Sequence, residues 1–284
     1  MIPSDKKQII RNLIIFLLLI TGLAWLGPLL GGDPTNPGPG LFVWGTAPLV
    51  SALMMRFIVR DKVNLGFRPA FKGNGVWYAL SLLIYPLSFT FVLAVGVAVG
   101  ASTLNNVSDA NFLTAMVPIA VISFIFAFFE EVGWRGYLTP KIHHLKADLL
   151  GYALAGLIWA SWHLPYMHIL WSHTTEDMAT LLPRFILGTI ISFILYGEIR
   201  RRTGSVWPAV LMHGLGNTLA STLLAGYVDS PAFVSLTPGW EWLSSFGVEG
   251  VLMMTIFALI GGVLYRKKQS LNRISNAEFR LSET

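Results

Sequence analysis

A chain of 284 residues is long enough for one or two soluble domains, yet 54% of it is apolar and only 12% is charged, where soluble domains average about a quarter charged. A mean hydropathy of +0.62, with 10 Trp and 18 Phe, fits a surface that is solvated by lipid and anchored at membrane interfaces. The absence of cysteine excludes a disulfide framework, cysteine-held zinc or iron–sulfur clusters and a thiol nucleophile, and the net charge of +5 is scattered between apolar runs, so nucleic acid is not an expected partner.

Crossing a bilayer takes about 20 apolar residues per helix. In chain order the sequence predicts about eight such helices, at 9–30, 42–59, 76–100, 113–129, 149–171, 183–199, 206–227 and 248–265. The expected fold is all-α, a polytopic membrane helical bundle forming a single integral membrane domain over 1–284, with membrane lipids as its surroundings. The first run follows Lys6, Lys7 and Arg11 as a signal peptide would, but it exceeds an apolar region of about 7 to 15 residues and no A-x-A-like site follows, so it reads as a span. Connections at 31–40, 101–111 and 229–242 read as short loops, and the polar tail 269–284 as a mobile end without a function. Basic residues gather in cytoplasmic loops. With the N-terminus inside, every Lys and Arg falls on the cytoplasmic side except Arg184, so both termini are expected there, in a multi-pass protein of the cell membrane.

Ionisable groups at membrane depth are costly and mark candidate sites. Three clusters qualify. At the cytoplasmic end of the fourth span stand Glu130, Glu131, Gly133, Trp134 and Arg135. Glu131 and Arg135, four apart with the acid first, suit a helical ion pair, whereas Glu130 points about 100° away and faces another surface. The fifth span carries Trp159, Trp162, His163 and Pro165, and the seventh carries His213 and Asn217 on one helix face, with Gly214 and Gly216 leaving room for close packing. Polar side chains on three spans share a site only if those helices converge on a wet pocket. The plainer alternative is that each ties helices together, the usual role of a single membrane histidine. His143, His144 and His173 read as solvated loop residues, His168 as ambiguous, and Glu198 beside Arg200–Arg202 as an interfacial charge pair.

Glu130-Glu131-x-x-x-Arg135, Trp159-x-x-x-His163 and His213-x-x-x-Asn217, in this order on three spans, resemble the CPBP family, the CAAX-protease and bacteriocin-processing (Abi) intramembrane proteases. The likeness covers 113–227, the expected catalytic core. Its second motif usually begins with Phe, where this chain has Trp159. The resemblance implies an intramembrane endopeptidase, glutamate-dependent or a metalloprotease, acting on a membrane-associated protein or peptide substrate. That substrate is either a CAAX-type prenylated protein or a peptide precursor such as a bacteriocin. Amide hydrolysis needs an activated water, a base and oxyanion donors. Glu130 fits the base, His163 the residue that orients the water, and His213 with Asn217 the oxyanion donors, with Glu131, Arg135 and Trp159 in support. Alternatively, Glu130, His163 and His213 form the two-His, one-carboxylate set of a catalytic zinc. No HExxH occurs, so the cofactor stays open between zinc and none, with the metal-free scheme slightly favoured. At about 1.5 Å per residue, His163 computes to a greater depth than Glu130 and His213, a mismatch that a late start, a tilt or a bend at Pro165 would remove; the site is expected to open to the cytoplasmic leaflet. Competing readings are a non-catalytic scaffold or bacteriocin self-immunity protein and, at lower weight, a proton-coupled transporter.

Overall fold

The computed structural model describes residues 3–33, 36–105, 109–170, 174–224 and 232–282. Apolar runs of the predicted length become helices: α1 (Pro3–Leu29), α2 (Pro39–Phe57), α3 (Gly75–Ala98) and α4 (Asp109–Glu131). Beyond Glu131 the chain stays helical, first as a π-helical segment (Val132–Leu138), then as α5 (Thr139–Leu145). There follow α6 (Leu149–His163), a 3-10 turn (Leu164–Tyr166), α7 (Met167–Leu170), α8 (Met178–Thr203), α9 (Trp207–Leu224), α10 (Glu241–Ser244) and α11 (Val251–Ser282). The molecule is the expected all-α polytopic membrane bundle.

Local signals set the boundaries. Asp148 and Asp177 cap α6 and α8 by accepting from the backbone N–H of Gly151 and Thr180, and Gly204, at φ +66°, ends α8 in the left-handed conformation that favours glycine. Pro165, just past His163, stops α6 where the sequence places a bend.

Each predicted span has its helix, but among the described residues five helical stretches are long and apolar enough to cross a membrane by themselves: Lys6–Leu29, Pro39–Phe57, Gly75–Ala98, Phe112–Leu145 and Met178–Thr203. The other three fall short for separate reasons. Helix α6 has only 15 residues, α9 is diluted by its His, Asn and Gly, and α11 becomes basic at Arg266. Three expectations are corrected. The fourth helix does not end at Phe129 but continues to Leu145. Two of the outer connections are more than loops, because strands β1 (Ser102–Leu104) and β2 (Val234–Leu236) pair antiparallel with Thr103 opposite Ser235. The tail is carried as a helix to Ser282. His173, the side chain of His168 and loop residues 106–108 and 229–231 lie outside the described residues.

Helix α4 packs on α9 and α2, α1 on α2, α6 on α8, α8 on α11 and α3 on α9. Exposed Leu18, Leu87, Val117, Val121 and Leu259 line outer faces for which lipid is the solvent. One core unites α1, α2, the π segment and α6 around Phe16, Trp44, Trp134 and Trp162, and a second unites α3, α8, α9 and α11. The three polar clusters lie where these cores meet.

Candidate active site

Glu131 is fully buried. Its Oε1 accepts from Arg135 Nη1 at 2.9 Å and from His213 Nδ1 at 2.8 Å. A carboxylate only accepts, so His213 carries a proton on Nδ1 and turns Nε2 toward Glu130, whose Oε1 lies 3.8 Å away. Glu130 is 5% exposed; its Oε2 takes indole N–H bonds from Trp134 at 3.2 Å and Trp159 at 2.9 Å. One acid thus locks a cation and an imidazole, while the other is oriented by neutral donors with one oxygen facing the imidazole.

The Arg135 guanidinium sits in an aromatic cage, 4.2 Å from the ring centre of Trp159, 4.6 Å from Phe193 and 4.4 Å from Tyr196. Cation–π attraction is strongest when the cation is stripped of water, and Arg135 is 0% exposed. Tyr196 shares a buried hydrogen bond of 3.0 Å with Tyr85 on α3. Arg200, also buried, gives its Nε to the Arg135 carbonyl and its Nη2 to the Asn64 carbonyl, each at 3.0 Å, fixing the π segment from behind.

His163 is the last residue of α6 and bonds through Nδ1 to the Trp159 carbonyl at 3.0 Å. Nδ1 is therefore the donor, which leaves Nε2 as the basic nitrogen of the neutral ring. Both Glu130 and His213 act on it electrostatically. The three clusters converge: Trp159 donates to Glu130, and its ring lies against those of both His163 and His213, with ring centres 6.1 and 6.0 Å apart. Both Glu130 and Glu131 are buried, and Glu198, likewise buried, pairs with Arg201 and Arg202 and accepts from Tyr152 at 2.7 Å.

Asn217 stands one turn from His213 but is exposed, and no hydrogen bond joins it to the acids among the described residues. No group of three His, Asp or Glu side chains is arranged to hold a metal ion among the described residues, and Glu131 and the two Nδ1 atoms are already engaged. Engagement at Nδ1 does not separate the two schemes, since a histidine that binds zinc through Nε2 commonly donates its Nδ1–H to a carboxylate or a carbonyl.

A loop buttress completes the site. Asp61, after α2, accepts from Lys141 at 2.6 Å and Tyr137 at 2.8 Å. Burial pushes its carboxyl up, but hydrogen bonds from Lys141, Tyr137 and Asn12 outweigh this and hold it below its ordinary 3.8.

Fold and site together define a multi-pass membrane protein with a buried acid–imidazole centre. Residues 111–219 match the family of type II CAAX prenyl endopeptidases, Rce1-like, and every motif residue named above falls in this stretch. A CAAX prenyl protease 2 of Methanococcus maripaludis is 32% identical over 172 residues, 58% of this chain and 55% of that protein. The match thus spans about half the length of the curated relative. These matches agree with the resemblance to the CPBP family read from the motifs.

The indoles of Trp134 and Trp159 as carboxylate donors, the Tyr196 wall and the Arg200 and Asp61 supports were not legible from the motifs. For Trp134 a signal existed, since it stands four residues after Glu130 and so shares its helix face.

Proposed function

We propose that this chain is an intramembrane endopeptidase that hydrolyses a peptide bond of a membrane-associated substrate, either a CAAX-type prenylated protein or a peptide precursor such as a bacteriocin. The observation that carries the reading is the division of labour between the adjacent acids, with Glu131 fixed between Arg135 and His213 and Glu130 left with Oε1 toward the imidazole. Glu130 takes a proton from a water that His163 orients through Nε2, and the water oxygen attacks the substrate carbonyl carbon. The oxyanion is met by His213, donating from Nε2 as an imidazolium, and by Asn217, one turn further along α9. The proton on Glu130 passes to the amide nitrogen as the C–N bond breaks. Removing one preorganised oxyanion donor typically costs about 10²- to 10³-fold in rate.

The test compares protein termini in membranes containing equal amounts of the wild type or Glu130→Gln, each with and without a metal chelator. New C-termini made by the wild type, undiminished by chelator and missing from the variant, are expected. Identical termini in both would favour the scaffold or immunity reading, and loss on chelation would favour the metal scheme.

A further inference from the structure

Helix α2 lies outside the matched stretch, yet it clasps the turn that presents His163. Trp44 on α2 and Trp162 on α6 stack with ring centres 4.0 Å apart and planes 6° from parallel. Each indole also donates to the other residue's backbone: Trp44 Nε1 to the Trp162 carbonyl at 3.0 Å, and Trp162 Nε1 to the Trp44 carbonyl at 3.3 Å. The reciprocity has a local cause. Helix ends leave carbonyls without intrahelical partners, and a proline has no N–H to give. Pro165 creates this shortage at the end of α6, and the Trp44 indole supplies a donor there.

From Trp162 the contact runs directly into the site. Its ring meets His163 edge-on at 4.8 Å and Trp134 at 5.9 Å, and Trp134 is a donor to Glu130. Trp44 itself packs edge-on against His163 at 6.3 Å and Tyr166 at 5.3 Å. Phe185 closes the opposite contact of the imidazole at 5.2 Å. One side chain from the second helix therefore braces both the base and the residue that orients its water.

We propose that Trp44 is a positioning residue for His163: its indole fixes the last turn of α6 through the Trp162 carbonyl and so sets where Nε2 of His163 points. The inference rests on the endopeptidase reading for its catalytic meaning, but the positioning can be measured without catalysis. Trp44→Phe keeps a stacking ring and removes the N–H, so it is expected to fold; Trp44→Ala removes both.

The experiment uses the full-length protein in lipid nanodiscs and has two arms. In the first, diethyl pyrocarbonate modification of His163 is timed by mass spectrometry, with His144 as internal standard and a thermal melt for integrity. Trp44→Phe is expected to raise the rate at His163 severalfold, with Trp44→Ala raising it further, while His144 and the fold stay unchanged. An unaltered His163 rate in a folded Trp44→Phe protein would overturn the proposal. In the second arm a farnesylated CAAX reporter peptide is the substrate. A misplacement of ångström size costs up to about 10²-fold in rate, so kcat is expected to fall roughly ten- to a hundredfold at constant KM. A rise in KM alone would also overturn it. Glu130→Gln runs alongside: undiminished cleavage by that variant defeats the assignment of Glu130 as the base, no cleavage by the wild type defeats the endopeptidase reading, and either result leaves the His163 reactivity to decide the positioning.

Discussion

Glu130 and Glu131 are chemically identical neighbours, and what separates them is the donors within reach. A bond from an ionised donor is roughly twice as strong as one from a neutral donor, so Glu131, bonded to Arg135, is the structural anchor and Glu130, bonded to two indoles, the less committed oxygen pair. The same logic applies to Asp61, whose donors are Lys141 and Tyr137. Because its folded carboxyl is held below 3.8, its contribution is fully present above the unfolded value and is lost as pH falls through the folded one. Asp61→Asn should therefore melt lower than wild type at pH 6, by about 1.5 to 3 kcal/mol for hydrogen bonds to a charged group, and the gap should close below about pH 3.8. A gap that stays constant down to pH 3 would show that the charge of Asp61 contributes nothing. At this scale the sequence was a fair guide to which residues matter, since rare polar groups stand out among apolar ones, and a poor guide to their partners. Indole donors such as Trp134 look like packing residues until the fold aims their N–H groups.

Among the elements, the π-helical segment Val132–Leu138 holds the site together. Segments of this kind often occur at functional sites. Here all seven residues are buried, and two carbonyls take side-chain bonds as well: the Trp134 carbonyl, already bonded by the Thr139 backbone N–H, also accepts the Thr139 hydroxyl at 2.8 Å, and the Arg135 carbonyl accepts from Arg200. Hydropathy located the long helices because lipid demands continuous apolar runs, but it ended the fourth helix at Phe129, where charged residues interrupt the run. Burial inside a bundle with paired partners carries the helix through that interruption. The seventh helix was better read, its glycines being assigned to close packing. A methyl group on Gly214 would lie 2.6 Å from the Phe124 ring, so Gly214→Ala must push α9 off α4 and draw His213 away from Glu131. Overpacking of this sort costs about 1 to 3 kcal/mol. A control is Gly262→Ala on α11, where nothing lies within 4 Å of the added carbon and alanine favours the helix. Lower melting and lost cleavage for Gly214→Ala, beside unchanged or higher melting for Gly262→Ala, are expected. Equal behaviour of the two would mean that α4 and α9 do not meet so closely.

For the whole molecule, the question that decides access to the site is which leaflet it opens toward. Trp207, at the start of α9, donates to the Phe67 carbonyl in the loop after α2 at 2.7 Å and stacks on Phe128, two residues before Glu130, with ring centres 5.5 Å apart. The mouth of the site therefore shares its side of the bundle with that loop, which carries Arg60, Lys62, Arg68 and Lys72 while its acid, Asp61, is neutralised inside. At the other end, β1 and β2 join the connections that lack Lys and Arg. Retention of basic loops in the cytoplasm predicts that the Lys72 end is the inner one. The chain has no cysteine, so single replacements report cleanly: Thr103→Cys, exposed on β1, should react with a membrane-impermeant maleimide in intact cells, and Lys72→Cys only after permeabilisation. The reverse pattern would place Glu130 toward the outer leaflet and limit its substrates to what is delivered from that side, which a cytoplasmic prenylated protein is not.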